Sequence, residues 1–116
     1  MAGQEIRLQI EPVRTLAFGS ISGTYMGVGT AISNPARIFW INNLTNADLM
    51  CSIDGVNDHF PLPADSFLIL DATSNKTFSP GFYLAEGTRL YVKELGDSTT
   101  PTQGSVYFTV FYGSSI

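Results

Sequence analysis

Cys51 and His59 are the residues from which a nucleophile and its base could be built, since each occurs once among the 116 residues. A thiol attacks only when a base lies within hydrogen-bond reach, and a Cys51–His59 pair could meet across the Asp54-Gly55 hairpin. The pattern argues against it. Cys51 alternates with Leu49 and Ile53 on one apolar strand face, which makes it a buried thiol, and no third group is marked out to orient the imidazole. Gly19-Ser20-Ile21-Ser22-Gly23 has the glycines of a nucleophile elbow but carries Ile21 where serine must stand. A single histidine cannot supply the clustered ligands of a zinc or non-haem iron centre. Asp54, Asn57 and Asp58 offer oxygens without the spacing of a calcium loop, and turn formation accounts for all three. Gly27-x-Gly29 lacks the third glycine and the following helix of a dinucleotide site. Asn43-Leu44-Thr45 and Asn75-Lys76-Thr77 fit the glycosylation pattern but read better as turns. The expectation is no catalytic residue, no metal and no cofactor.

The charge balance restricts the partners. Six Lys and Arg against ten Asp and Glu leave no basic stripe to neutralise a phosphate backbone, so direct nucleic-acid binding is not expected. Only 14% of residues are charged while 44% are hydrophobic, and depletion of charge is what the cores of subunit interfaces show. The N-terminus has no basic start followed by an apolar run, and no apolar stretch approaches the roughly 18 residues of a membrane span. With one cysteine, no internal disulfide can form. Assembly in a reducing cytoplasm, away from any membrane, is the expectation.

The elements that must position these residues read as strands. Ile6, Leu8 and Ile10 alternate with polar residues and stop at Pro12, a first strand near a sheet edge, which Val13 to Phe18 could continue after a bend. Gly27 and Gly29 within a β-like run mark a bulge, a bend or close backbone approach. Ile38-Phe39-Trp40-Ile41 runs without a polar break, the sign of a central strand covered on both faces, and places Trp40 in the core. Asn42 to Asp48 is turn chemistry, and Leu49, Cys51 and Ile53 form a one-sided strand. Asp54-Gly55 demands positive φ. Phe67 to Leu70 reads as a compact buried strand. Leu90 and Val92 face away from Arg89, Tyr91 and Lys93, Gly96 to Gln103 is a flexible tip, and Ser105 to Tyr112, apolar on both faces, is central. Eight or so short strands make one all-β domain of two packed antiparallel sheets, a β-sandwich and most simply a jelly roll.

Two kinds of function fit such an object: a subunit of a symmetric assembly, or a carbohydrate-binding module that stacks sugars on Tyr25, Tyr83 and Tyr91. A resemblance bears on the choice. The run from Ile41 to Phe60, the Leu-Pro-Ala-Asp-Ser-Phe that begins at Leu62 and the closing Gly-Ser-Val-Tyr-Phe-Thr-Val-Phe-Tyr from Gly104 resemble small virion proteins of tailed bacteriophages. The likeness covers about the last three quarters of the chain and consists of strand and turn patterns. It implies a non-enzymatic jelly-roll cement or decoration subunit on the outside of an icosahedral head, or a comparable neck or tail component. Its partners would be the major capsid protein, other virion proteins and further copies of itself, and its place the virion, assembled in the host cytoplasm. No functional residue transfers with the likeness. Met1, Ala2, Gly3, Gln4 and Glu5 are candidates for an arm that orders on a neighbour, and Arg14 and Arg37 for pairing with acidic shell residues.

Overall fold

The computed structural model describes residues 6–71, 84–96 and 100–115. Nine strands make two antiparallel sheets, with no α-helix among the described residues. The strands are β1 (Ile6–Ile10), β2 (Arg14–Ala17), β3 (Met26–Gly27), β4 (Ile38–Asn43), β5 (Leu49–Ser52), β6 (Phe60–Leu62), β7 (Ser66–Asp71), β8 (Tyr91–Glu94) and β9 (Ser105–Ser115). A single 3-10 turn, Phe18–Ser20, follows β2. The larger sheet runs β1-β9-β4-β7, with β2 also paired to β9; the smaller runs β3-β8-β5-β6.

Proline and strand length explain the larger sheet. β9 is eleven residues long and pairs with β2 over Ser105 to Phe108 and with β1 over Phe111 to Ser115. Pro12 breaks what would otherwise be one strand, since it has no N–H to give the ladder. Every later connection except the β5–β6 hairpin crosses from one sheet to the other, which is how 116 residues form two layers.

The period of two along each strand sends one set of side chains inward. Phe39 and Ile41 of β4, Val106, Phe108 and Val110 of β9, and Leu49, Cys51, Leu62 and Val92 of the smaller sheet meet in one buried cluster. Phe39 and Phe108 pack edge to face with centroids 6.4 Å apart. Each such fully buried side chain contributes about 1.5–3 kcal/mol by leaving water. The cluster is closed by Ile21, Val28, Ile32 and Ala36 from the connections.

Polar residues are buried as well, Asn43, Thr45 and Ser52 completely. Asn43, at the end of β4, is fully buried. Its Nδ2 donates to the carbonyls of Ala47, Leu62 and Pro63, and its Oδ1 accepts from the N–H and hydroxyl of Thr45. A residue suited to turns thereby ties the β4–β5 corner to the β6–β7 corner. Amid low dielectric, a satisfied network of this kind holds one arrangement and makes loss of any member costly.

Two expectations are corrected. Trp40 is 38% exposed, because its side of the larger sheet is the outer one, away from the buried cluster. Phe67 to Leu70 is not a buried strand: β7 closes the edge of the larger sheet, with Phe67 63% and Ile69 51% exposed. The tip from Gly96 to Gln103 is also more tied than expected where it is described. Pro101 is buried, and Asn46 and Thr102 exchange two hydrogen bonds.

Candidate functional site

The chemistry of Cys51 is set by its strand. β5 lies between β8 and β6, and its alternation puts the thiol wholly inside the core, where burial pushes its pKa up to about 12. That is the reverse of an activated nucleophile. His59 stands outside, exposed, with Nδ1 accepting from the Ile53 N–H and Nε2 3.9 Å from Asp54. Core thiol and surface imidazole do not form a dyad.

The loop between β5 and β6 is a self-satisfied turn. Asp54 accepts from the N–H groups of Asn57 and Val56, the Asn57 amide and the Ser52 hydroxyl, and these donors hold its carboxyl well below the usual carboxylate range. Gly55 takes φ 75°, as the Asp-Gly pair requires. Among the described residues no three His, Cys, Asp or Glu side chains gather as a metal site.

This loop folds back over the smaller sheet. Tyr91 and Lys93 of β8 face outward, and Gly55 lies over the Tyr91 ring, where an added Cβ would make an ordinary contact at 3.4 Å. Asp58 accepts from the Tyr25 hydroxyl at 2.5 Å and from Lys93 at 3.2 Å, while Lys93 lies 4.6 Å over the Tyr25 ring. Burial, and then the Asp58 carboxylate, raise the Tyr25 pKa; the Tyr25 hydroxyl first, and then Lys93, lower that of Asp58. Arg89 approaches Tyr91 at 5.6 Å, donates to the Gly29 carbonyl and fills the space a Cβ on Gly27 would need. Tyr25 and Tyr91 are thus engaged by their own chain and do not form an open stacking platform; Tyr83 lies outside the described residues.

Arg14 is also used internally. Its guanidinium donates to the carbonyls of Thr30, Ala31 and Pro12 and to Glu11, leaving the side chain 10% exposed. Burial pushes the Glu11 pKa up, but donors from Asn34, Ser33 and Arg14 outweigh it, so the net shift is downward. The pair clips the β1–β2 corner to the Thr30–Asn34 connection and lines a cleft of about 430 Å³ whose polar groups satisfy one another. Arg37 follows the isolated Ala36–Leu84 bridge, gives its N–H to the Phe111 carbonyl and is half-buried. Met1, Ala2, Gly3, Gln4 and Glu5 lie outside the described residues. Asn43 is buried and cannot accept a glycan in the folded chain; Asn75 lies outside the described residues.

What remains open is the outer face of the larger sheet. The register sets Trp40 beside Ile69 of β7 and Thr109 of β9, Asn42 beside Phe67 and Tyr107, and Ile38 beside Phe111, which in turn adjoins Ile10 of β1. Leu8 follows on the same side. Leu8, Ile10, Trp40, Phe67 and Ile69 are all exposed, a diagonal apolar band across the sheet. The readable signal for these residues is the run of successive apolar residues in β4 and β7, which announces two apolar faces.

No protein-family model matches the chain, and no characterised protein or solved structure matches it.

Proposed function

We propose that this chain is a non-enzymatic structural subunit of a virion, a jelly-roll decoration or cement protein that binds the outside of an icosahedral head and stabilises it. Counting β1 and β2 as one strand interrupted at Pro12 makes eight strands, in the orders 1-8-3-6 and 2-7-4-5. Support for the jelly roll is that order, with sheet-crossing connections throughout except one hairpin. Support for a subunit role is a single observation: the bare apolar band of Trp40, Phe67, Ile69, Ile10 and Leu8 on one sheet, while the other sheet covers part of its outer face with its own loop. The resemblance of the β4–β5 region and β9 to phage virion proteins chooses the kind of assembly.

The mechanism needs no chemistry. A subunit that binds the mature shell and not its alternatives stabilises that shell by mass action, by about 2.7 kcal/mol per site when present at a hundredfold its dissociation constant. Burying Phe67 or Ile69 against a partner contributes on the order of 1–2 kcal/mol each. The partners are the major capsid protein, other virion proteins and further copies of the chain. Quantitative mass spectrometry of purified particles tests this. Abundance comparable with the shell protein is expected, a few per cent of it points to the neck or tail, and absence from particles overturns the virion reading.

A further inference from the structure

We propose that Asp54-Gly55 is a latent modification site, where this chain converts aspartate to isoaspartate when the β5–β6 loop opens, and that the Ser52 hydroxyl is what keeps it closed. The chemistry needs only the isolated chain and stands apart from the subunit reading. Asp54-Gly55 is the one Asp-Gly pair in the sequence, and no Asn is followed by Gly. Glycine after aspartate leaves the next nitrogen without a side chain to shield it. In the reaction the Gly55 nitrogen bonds to Cγ of Asp54 and gives up its proton, while a carboxyl oxygen leaves as water. A second water then opens the five-membered ring at the former main-chain carbonyl, so that the chain runs through Cγ and the α-carboxyl becomes the free acid. One water leaves and one is added, with no oxidant or other co-reactant.

Ser52 touches both reacting groups. It is wholly buried at the end of β5. Its Oγ accepts the Gly55 N–H at 2.9 Å and the Asp54 N–H at 3.2 Å, and its hydroxyl donates to Asp54 Oδ1 at 2.8 Å. The N–H groups of Val56 and Asn57 reach the same Oδ1 at 2.8 and 2.9 Å, and the Asn57 amide reaches Oδ2 at 2.8 Å. Ring closure takes the proton out of the first bond and an oxygen out of the carboxylate, so the hydrogen bonds of both groups oppose it. Both groups are also held in one relative position, and a bond forms only when the reacting atoms are aligned. The same donors keep the carboxyl ionised, below the usual carboxylate range, and an ionised carboxylate has no oxygen ready to leave as water. Local opening of the loop releases all of these restraints together. The product carries one more methylene in the main chain, which moves Gly55 from its place over the Tyr91 ring and uncovers that part of the smaller sheet.

Prolonged incubation of the purified chain at about pH 6, where an unperturbed aspartate still carries some proton, with isoaspartate at Asp54 quantified by peptide mapping, tests the site. The folded chain should isomerise roughly tenfold or more slowly than the chain unfolded in urea. In folded Ser52→Ala the rate should rise about tenfold, the equivalent of one hydrogen bond to a charged group. Tyr25→Phe loosens the same loop at Asp58 without touching Asp54, and its rate should stay within about twofold of the starting value. A folded chain as reactive as the unfolded one, an unchanged rate in Ser52→Ala, or an equal rise in Tyr25→Phe overturns the proposal. Should Ser52→Ala fail to fold, Ser52→Cys, close in size but a poor acceptor, takes its place under the same criteria.

Discussion

The outer faces of the two sheets receive the same treatment from strand geometry and opposite treatment from the rest of the chain. On the smaller sheet, the β5–β6 loop lies back over Tyr91, and Asp58, Lys93 and Tyr25 close a polar cover around it. On the larger sheet nothing described covers Trp40, Ile69 or Phe67. One face is partly covered by its own loop, which leaves Val56 exposed; the other has the composition of an interior and the exposure of a surface. The difference teaches that the same strand alternation leaves an apolar outer face on one sheet, while on the other a described loop lies across part of it.

The comparison breaks most visibly on the larger sheet. Replacing Trp40, Phe67 and Ile69 together with Thr, which keeps β propensity, should weaken self-association or shell binding more than a hundredfold, about 2.7 kcal/mol. The urea midpoint of the monomer should stay near its starting value, because these exposed side chains lie outside the buried cluster. Loss of folding in this variant would show that the band belongs to the monomer's own core.

The smaller sheet should answer the other way. Gly55→Ala forces a Cβ into positive φ over the Tyr91 ring, and should cost about 1–2 kcal/mol of stability by urea unfolding while leaving association of the folded chain unchanged. Tyr25→Phe removes the hydroxyl donated to Asp58 and should cost about 1 kcal/mol, again without effect on association. A change in self-association or shell affinity in either variant would mean that the covered face also binds.

The smallest effect is on pH dependence, and its sign follows from depressed carboxyl pKa values. Asp54, Asp58 and Glu11 titrate lower in the folded chain than when unfolded. Their contribution is complete above the ordinary carboxyl range near pH 4 and is lost as pH falls through the folded values. Stability should therefore be level from about pH 5 to about pH 8 and decline in acid. Tyr25→Phe should make that decline shallower by removing a donor that favours ionised Asp58, whereas Trp40→Thr should leave it unaltered. An acid limb unaffected by Tyr25→Phe would contradict the assigned role of Asp58.

Much of the architecture is legible in the alternation of residues. β9 follows its period of two, Pro12 interrupts where a proline must, and Asp54-Gly55 turns with positive φ. The apolar residues Leu8 and Ile10 of β1 instead lie on the exposed outer face, and Ile53, expected to share the face of Leu49 and Cys51, falls beyond β5 and is exposed. The misplacement of Trp40 and of Phe67 to Leu70 has one cause. A run of successive apolar residues states that both faces of a strand are apolar, and it is silent on whether the second cover is another sheet of the same chain or a different molecule. The sites that bind at long range were hidden for another reason. Asn43 and Arg14 have ordinary local readings, as a turn residue and a surface charge, and their roles depend on carbonyls of Leu62, Pro63, Thr30 and Ala31 brought near only by the fold.

Residue-resolved hydroxyl-radical footprinting, comparing the chain free in dilute solution with the chain in the purified particle, tests the central claim most directly. Aromatic side chains report from both faces at once: Trp40 and Phe67 on the larger sheet, Tyr25 and Tyr91 on the smaller. The account predicts strong protection of Trp40 and Phe67 on assembly, with Tyr25 and Tyr91 little changed. Protection of Tyr25 and Tyr91 with Trp40 and Phe67 still reactive would place the partner on the covered face and contradict it.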